Sequence, residues 1–196
     1  GIVGKYGAQV QALLKKAAAL DIEKICALHG PVLSENLAHY LDLYNKWSSY
    51  TPEKDGVMIA YASIYGNTKK AAELLYDKLK AKNVDVIITD LARCDMSKAI
   101  SDAFAYGKLV LATPTYNADV FPFMRTFIEG LTERNYQKRT VAFIENGAWA
   151  PMAAKVMAGM FEKSKELNIL DKTVKITCAL NDASVAQIGE LAEELA

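Results

Sequence analysis

Val57-Met-Ile-Ala-Tyr-Ala-Ser-Ile-Tyr-Gly-Asn-Thr68 is the stretch on which the reading of this chain turns. Val57 to Ala62 is an apolar run of strand length, suited to a strand buried on both faces of a sheet. Ser63 to Thr68 then brings hydroxyls, an amide and a glycine. From Lys69 to Lys82, the residues Ala71, Leu74, Leu75 and Leu79 recur at helical spacing. A strand that passes through a polar turn into a helix leaves the first backbone N–H groups of that helix without partners. The helix dipole there favours negative charge. The stretch therefore predicts an anion site built from Ser63, Ile64, Tyr65, Gly66, Asn67 and Thr68. It lacks the Gly-Lys-Ser/Thr ending that holds a triphosphate with magnesium, and it lacks the three-glycine dinucleotide fingerprint. With neither lysine nor arginine inside it, the turn suits a phosphate monoester held by backbone N–H groups and hydroxyls.

Outward from this stretch the chain alternates. Strands are predicted at Val57–Tyr61, Val84–Thr89, Leu109–Thr113, Thr140–Glu145 and Val174–Ala179. Helices are predicted at Asn67–Lys82, Met96–Tyr106, Phe123–Arg134, Pro151–Asn168 and Ser184–Leu195. This alternation gives an α/β fold, a doubly wound five-stranded parallel sheet with helices on both faces; a barrel would need eight such units. Ligands in these sheets bind beyond the carboxyl ends of the strands. The loops there that stand out follow the first, third and fourth strands. After the third come Thr113, Pro114, Thr115, Tyr116 and Asn117; after the fourth come Asn146, Gly147, Ala148 and Trp149. Leu91–Asp95 and Asn181–Ala183 read as plain polar turns. Aromatic and amide-rich loops beside a phosphate turn point to a planar ligand with a phosphate tail, its ring shielded from water by Tyr116 and Trp149.

Residues 1–50 differ in character. Val10, Leu13, Leu14, Ala17 and Leu20 mark a helix within Tyr6–Leu20. Ile25–Leu28 is a short strand candidate, stopped by His29-Gly30-Pro31. Ser34 is expected to cap a helix running to Tyr50, with Leu37, Tyr40, Leu41, Leu43, Tyr44 and Trp47 on it. One strand and one other helix cannot cover so large an apolar face, so this leader is expected to be the end of something larger. Thr51–Gly56 reads as a linker. The 23 basic and 23 acidic residues balance, and balance again from Val57 onward. There is thus no electrostatic case for nucleic acid or an anionic membrane surface. No apolar run approaches a membrane span, and no signal-peptide pattern is visible. Cys26, Cys94 and Cys178 are far apart in aliphatic surroundings and read as reduced thiols of a cytoplasmic protein. His29 and His39 cannot by themselves complete a metal site.

Ser63–Thr68 resembles the phosphate loop of flavodoxins, a Ser/Thr-x-x-Gly-x-Thr turn that holds the phosphate of FMN. More specifically, Thr-Pro-Thr-Tyr-Asn at Thr113–Asn117 and Glu-Asn-Gly-Ala-Trp-Ala-Pro at Glu145–Pro151 are similar to the ring loops of the flavodiiron proteins, or A-type flavoproteins. In that family a flavodoxin-like domain follows a metallo-β-lactamase-like domain carrying a di-iron centre. Leu28-His29-Gly30-Pro31 resembles the place where the first domain supplies its last iron-ligating histidine. The resemblance implies that residues 1–50 are the tail of that domain with its connecting helix, that 51–56 link, and that 57–196 bind FMN. It implies that Ser63, Tyr65, Asn67 and Thr68 hold the phosphate around Gly66, and that Thr113–Asn117 and Asn146–Trp149 hold the ring. No side chain of this chain would be catalytic, and no metal would be held by this chain alone; His29 would be an iron ligand only in a full-length parent. That parent would be an oxidoreductase for dioxygen or nitric oxide, a homodimer supplied with electrons by rubredoxin or a related reductase. This chain would then be a piece of it.

The alternative is a stand-alone flavodoxin-like electron shuttle or quinone reductase. Free shuttles are strongly acidic, unlike this neutral chain, and have no place for the leader. A receiver domain of the same architecture would need acidic residues after the first strand and an aspartate after the third. Ala62-Ser63 and Thr113-Pro114 stand there instead.

Overall fold

The computed structural model describes residues 2–196; Gly1, with which the expected leader begins, lies outside them. The leader comprises α1 (Ile2–Lys5), α2 (Gly7–Ala17), β1 (Ile25–Cys26), β2 (Val32–Leu33) and α3 (Leu37–Ser48). There follow β3 (Lys54–Tyr61), α4 (Asn67–Ala81), β4 (Val86–Asp90), α5 (Met96–Ala105), β5 (Tyr106–Tyr116) and β6 (Asp119–Val120). The chain ends with α6 (Pro122–Thr132), β7 (Thr140–Asn146), α7 (Ala153–Met160), β8 (Asn168–Ile169), β9 (Val174–Ile176) and α8 (Asp182–Leu195).

The main sheet runs β4-β3-β5-β7 in parallel, and β8 and β9 share the last position against β7. Counted along the alternating part of the chain, the order is 2-1-3-4-5, that of flavodoxin-like sheets. The expected five-stranded parallel sheet is therefore present, with its fifth strand in two pieces. Asn168 and Ile169 pair with Thr140 and Val141, whereas Val174 to Ile176 pair with Ile144 to Asn146. Side chains alternate across each strand. Met58, Ala60, Leu109, Leu111, Val141 and Phe143 bury one face under α5, α6 and α7, with Phe127, Leu131 and Met157. Val57, Ile59, Val110, Ala112, Ala142 and Ile144 bury the other under α4 and α8, with Leu75, Leu79, Ile188 and Leu191.

Several boundaries move. Strand β3 starts at Lys54 rather than Val57, because Lys54 pairs with Tyr106 across an irregularity in register. Its polar opening, Lys-Asp-Gly, conceals a solvent-exposed strand end. The helix expected over Pro151–Asn168 stops at Met160. Phe161, Glu162 and Ser164 instead donate to carbonyls three residues back, which marks tight turns, and Glu166 is left-handed at φ 52°. Ser34 does not cap α3; Asn36 precedes the helix in a left-handed conformation without a side-chain bond. Among the described residues no helix is long and apolar enough to cross a membrane.

The leader is fastened at the amino-terminal end of the sheet. Asn135 donates its side-chain amide to the Lys5 carbonyl at 3.1 Å, and Lys138 donates to the Ser49 carbonyl at 3.1 Å. Arg139, only 3% exposed, donates to backbone carbonyls on several segments: Tyr106 at 2.8 Å, Phe104, Tyr50, Gln137 and Lys138. Burial lowers the pKa of this guanidinium, opposed by Tyr136 and Glu53. A buried guanidinium suits the place because its forked donors satisfy carbonyls at the ends of α3, α5 and β7 together. Arg139→Ala leaves these carbonyls unpaired and is expected to cost about 3 kcal/mol. Urea denaturation measures this, and a loss below about 1 kcal/mol would contradict the role.

Candidate functional site

Strand β3 ends at the carboxyl edge, and the polar turn that follows is held from within. Ser63 Oγ accepts from the Gly66 N–H at 3.1 Å. Gly66 precedes α4 at φ +87°, which side-chain-bearing residues adopt only with strain. The Lys70 N–H donates to the Gly66 carbonyl, but the N–H groups of Asn67, Thr68 and Lys69 have no acceptor among the described residues. Thr68 is buried, while Ile64 and Tyr65 are exposed, Tyr65 at 91%. There is no acidic residue in the first turn of α4, and Lys69 and Lys70 stand there instead. Cations at a helix N-terminus oppose its dipole. Lys69 is eased only by a half-exposed pair with Glu73 at 3.6 Å, which is worth little. A bound anion would turn this local conflict into attraction, and the lysines are a signal that reading residues 63–68 alone misses.

The second group of candidates lies in a strand and hairpin rather than a free loop. Thr113 to Tyr116 are the last residues of β5, and β6 folds back antiparallel with Thr115 opposite Val120 and Tyr116 opposite Asp119. Asn117 and Ala118 turn the corner at φ 51° and 57°, the left-handed pair of a type I′ turn. Asp119 accepts from the Val120 N–H and from Arg125, which holds its carboxyl below the usual range. Thr113 is fully buried and Pro114 half-buried. Tyr116 is half-exposed and meets Phe121 edge-on at 5.4 Å. Thr115 does not face outward: its Oγ1 accepts from the Met152 and Ala153 N–H groups at 3.0 and 3.2 Å.

The third group follows β7. The Gly147 N–H donates to the Ile176 carbonyl, and a Cβ on Gly147 would lie 3.0 Å from Pro151 Cα, so the loop closes tightly on itself. Ala148 is exposed and Trp149 is 93% exposed. Asn146 is buried; its amide donates to Thr68 Oγ1 at 3.4 Å and to the Cys178 carbonyl at 3.1 Å. The structure thus gathers Ser63–Thr68, Thr113–Asn117 and Asn146–Trp149 at one edge. Two residues outside that prediction also reach it. Glu145, 4% exposed in its side chain, accepts from the Ala154 N–H at 3.0 Å, with Lys175 Nζ 4.0 Å away. Cys178, left-handed at φ 65°, offers its carbonyl. Glu145 precedes the expected loop, and nothing in the sequence marks Cys178 as facing the edge.

Tyr61 and Asp90 end β3 and β4 at this edge. The Tyr61 hydroxyl donates to Asp90 at 3.4 Å, and Arg93 donates to the same carboxylate at 2.8 Å. Burial first, then the Asp90 charge, pushes the Tyr61 phenol up to about 12. Two cavities, of about 450 and about 620 Å³, lie away from this edge at the leader junction, the first beside Trp47 and Arg139, the second beside Gly7 and Tyr136. Their lining contains none of the candidate residues. Among the described residues no group of three or more His, Cys, Asp or Glu could hold a metal ion, and His29 and His39 are both exposed.

Residues 59–183 match the flavodoxin family model, and the chain belongs to the flavodoxin family. An uncharacterised protein of Methanocaldococcus jannaschii is 29% identical over 194 residues, covering 97% of this chain and 49% of that protein. The anaerobic nitric oxide reductase flavorubredoxin of an Enterobacter species is 28% identical over 131 residues, covering 65% of this chain and 27% of its own length. Among solved structures, rubredoxin oxygen:oxidoreductase from Desulfovibrio gigas superposes with a TM-score of 0.89 at 19% identity, covering 98% of this chain and 48% of that one. The chain therefore spans half or less of the length of these relatives, and it is related to the flavodiiron proteins as their flavodoxin-like part.

FMN is the cofactor that family membership implies, and the edge fits it. The open N–H groups at the start of α4, the Thr68 hydroxyl and the flanking lysines suit a phosphate. Tyr116 and Trp149, exposed on neighbouring loops, suit a flat ring. Two outcomes test the local geometry. Ala118→Gly relieves a left-handed alanine and is expected to stabilise the protein by about 0.5–1 kcal/mol in denaturant melts. The unfolded chain loses the Tyr61 proton near the ordinary 10.0, while the folded chain keeps it to about 12. Its contribution to stability is therefore full below about pH 10 and lost as pH rises towards 12. Phenolate absorbance should show a late-titrating component that Tyr61→Phe diminishes.

Proposed function

We propose that this chain is the FMN-binding, electron-transfer part of a flavodiiron protein, relaying electrons to a di-iron centre held outside this chain. The observation that carries the flavin reading is the start of α4. There, acceptor-free N–H groups at Asn67, Thr68 and Lys69 adjoin a buried threonine, with lysines where the dipole disfavours them. The flavodiiron reading is supported by a likeness that includes the leader as well as the sheet. Relatives more than twice as long, or about twice as long, leave room for a second domain.

Bound FMN supplies the reversible uptake of one or two electrons. The chain's own residues bind and orient. The backbone of Gly66–Lys69 and the hydroxyls of Ser63 and Thr68 take the phosphate. Tyr65 and Asn67 join them at the phosphate, while the Thr113–Asn117 segment and Gly147–Trp149 border the ring and keep water from it. None of these side chains serves as a nucleophile or a general base. In the parent, residues 1–50 end a metallo-β-lactamase-like domain, 51–56 join it to the flavin domain, and 57–196 form that domain. His29, exposed in the turn between β1 and β2, joins iron ligands supplied from outside this chain. The parent acts as an oxidoreductase reducing dioxygen or nitric oxide, works as a homodimer, and receives electrons from rubredoxin or a related reductase. Free thiols at Cys26, Cys94 and Cys178 suit the reducing cytoplasm, where we locate it.

Titration with FMN is expected to quench flavin fluorescence at micromolar concentration. Thr68→Ala should weaken FMN by about tenfold while changing riboflavin, which has no phosphate, by less than about threefold. No quenching in the wild type would sink the flavin assignment, and equal losses for the two ligands would remove the phosphate from this turn.

A further inference from the structure

The last two residues of strand β7 face opposite sides of the sheet, as strand geometry requires. Each reaches a different part of the candidate site. Asn146 turns towards α4: its amide ties Thr68 Oγ1, at 3.4 Å, to the Cys178 carbonyl, at 3.1 Å. It is buried, so this amide has few other partners to choose from. Glu145 turns towards α7: its carboxylate accepts from the Ala154 N–H at 3.0 Å, while Thr115 of the neighbouring strand accepts from Met152 and Ala153. The first N–H groups of α7, left open by helix geometry, are thus closed by side chains from β5 and β7. The loop Gly147–Pro151 hangs between these attachments. Its amino end is bound to Ile176 through the Gly147 N–H, and its carboxyl end runs into the capped helix.

We infer that Glu145 and Asn146 form a two-sided clamp that positions the FMN site, Asn146 setting the phosphate turn and Glu145 setting the ring loop. Neither residue need touch the flavin; both are positioning residues. The inference rests on the FMN reading and redefines Asn146, which acts on the phosphate side rather than at the ring. The geometry also separates the two roles by ligand. Asn146 holds the hydroxyl of Thr68, so its loss should be felt by a ligand with a phosphate. Glu145 holds the helix that ends the Trp149 loop, so its loss should be felt by the ring, which FMN and riboflavin share.

The test is a fluorescence titration of the whole chain with FMN and with riboflavin. Asn146→Leu keeps the side-chain volume, removes the N–H donor and adds no charge near the phosphate turn. It should weaken FMN by about tenfold or more and riboflavin by less than about threefold. Glu145→Ala should weaken both ligands alike, by about tenfold, leaving their affinity ratio unchanged. Glu145→Gln retains an oxygen that accepts from the Ala154 N–H and should recover both affinities to within about threefold of the wild type. A merely structural role would lower both affinities together in Asn146→Leu and would leave the FMN-to-riboflavin ratio unmoved; that result overturns the clamp. A ratio shift in Glu145→Ala as large as that in Asn146→Leu overturns it too. A wild-type protein that binds neither flavin overturns the flavin reading itself, and the clamp with it.

Discussion

Strand β3 is withdrawn from solvent along Val57 to Ala62, and the placement of everything functional follows from that burial. A strand covered on both faces needs helices on both, and the helices must leave the sheet in opposite directions. Here α4 and α8 cover one face, and α5, α6 and α7 cover the other. The chain passes from β3 through α4 to β4 on one side, and later elements build outward from β5 on the other. A crevice forms where these paths diverge, at the carboxyl ends of β3 and β5. The start of α4 lies at that crevice because the buried strand must deliver the chain there.

Local rules are broken in several places, and three kinds of breach meet around this point. Lysines occupy the first turn of α4, an alanine is left-handed at the β5–β6 hairpin, and Tyr65 and Trp149 stand almost fully exposed. Each is unfavourable for a bare domain: cations oppose the dipole, Cβ crowds the backbone at positive φ, and large aromatic faces meet water. In α8, by contrast, Asn181 and Ser184 cap the helix reciprocally, while left-handed Tyr50, Lys138 and Glu166 show that single breaches also occur away from the edge. Conflicts of three kinds that meet at one edge suit a surface shaped for something other than its own stability. An anion and a flat ring resolve most of them together.

The sheet was legible because buried parallel strands read as apolar runs and the intervening helices keep their period. The first phosphate-turn candidates were legible for the same reason, since Ser63–Thr68 had to lie between a strand and a helix. What escaped was tertiary. Thr115 and Asn146 look alike in sequence, polar residues at a strand end. Their strand faces send one to α7 and the other to Thr68. Alternation fixes which face, but only the strand's register fixes where alternation starts. The end of α7 escaped because Phe161 and Leu167 continue an apolar pattern after the helix has given way to turns. Residues 168–169 pair with β7 instead. The polar opening of β3 escaped because a strand end in solvent carries no hydrophobic signal.

The two ends of the sheet serve different needs, and β5 joins them. This strand runs for 11 residues, about 33 Å. Tyr106 at its start receives Arg139 and so helps hold the leader. Tyr116 at its other end carries the hairpin beside the ring loop. Parallel order is what permits the division, since the main strands leave the carboxyl edge towards helices, β5 by way of the β5–β6 hairpin, and the helices return the chain to the opposite edge. Changes in the edge loops therefore leave the Arg139 fastening untouched. A disturbance at the leader reaches the loops only through the packed sheet between them. The clamp at Glu145–Asn146 stands at the far end of the strand that begins just after Arg139, so β7 carries both the fastening and the positioning in a single rigid element.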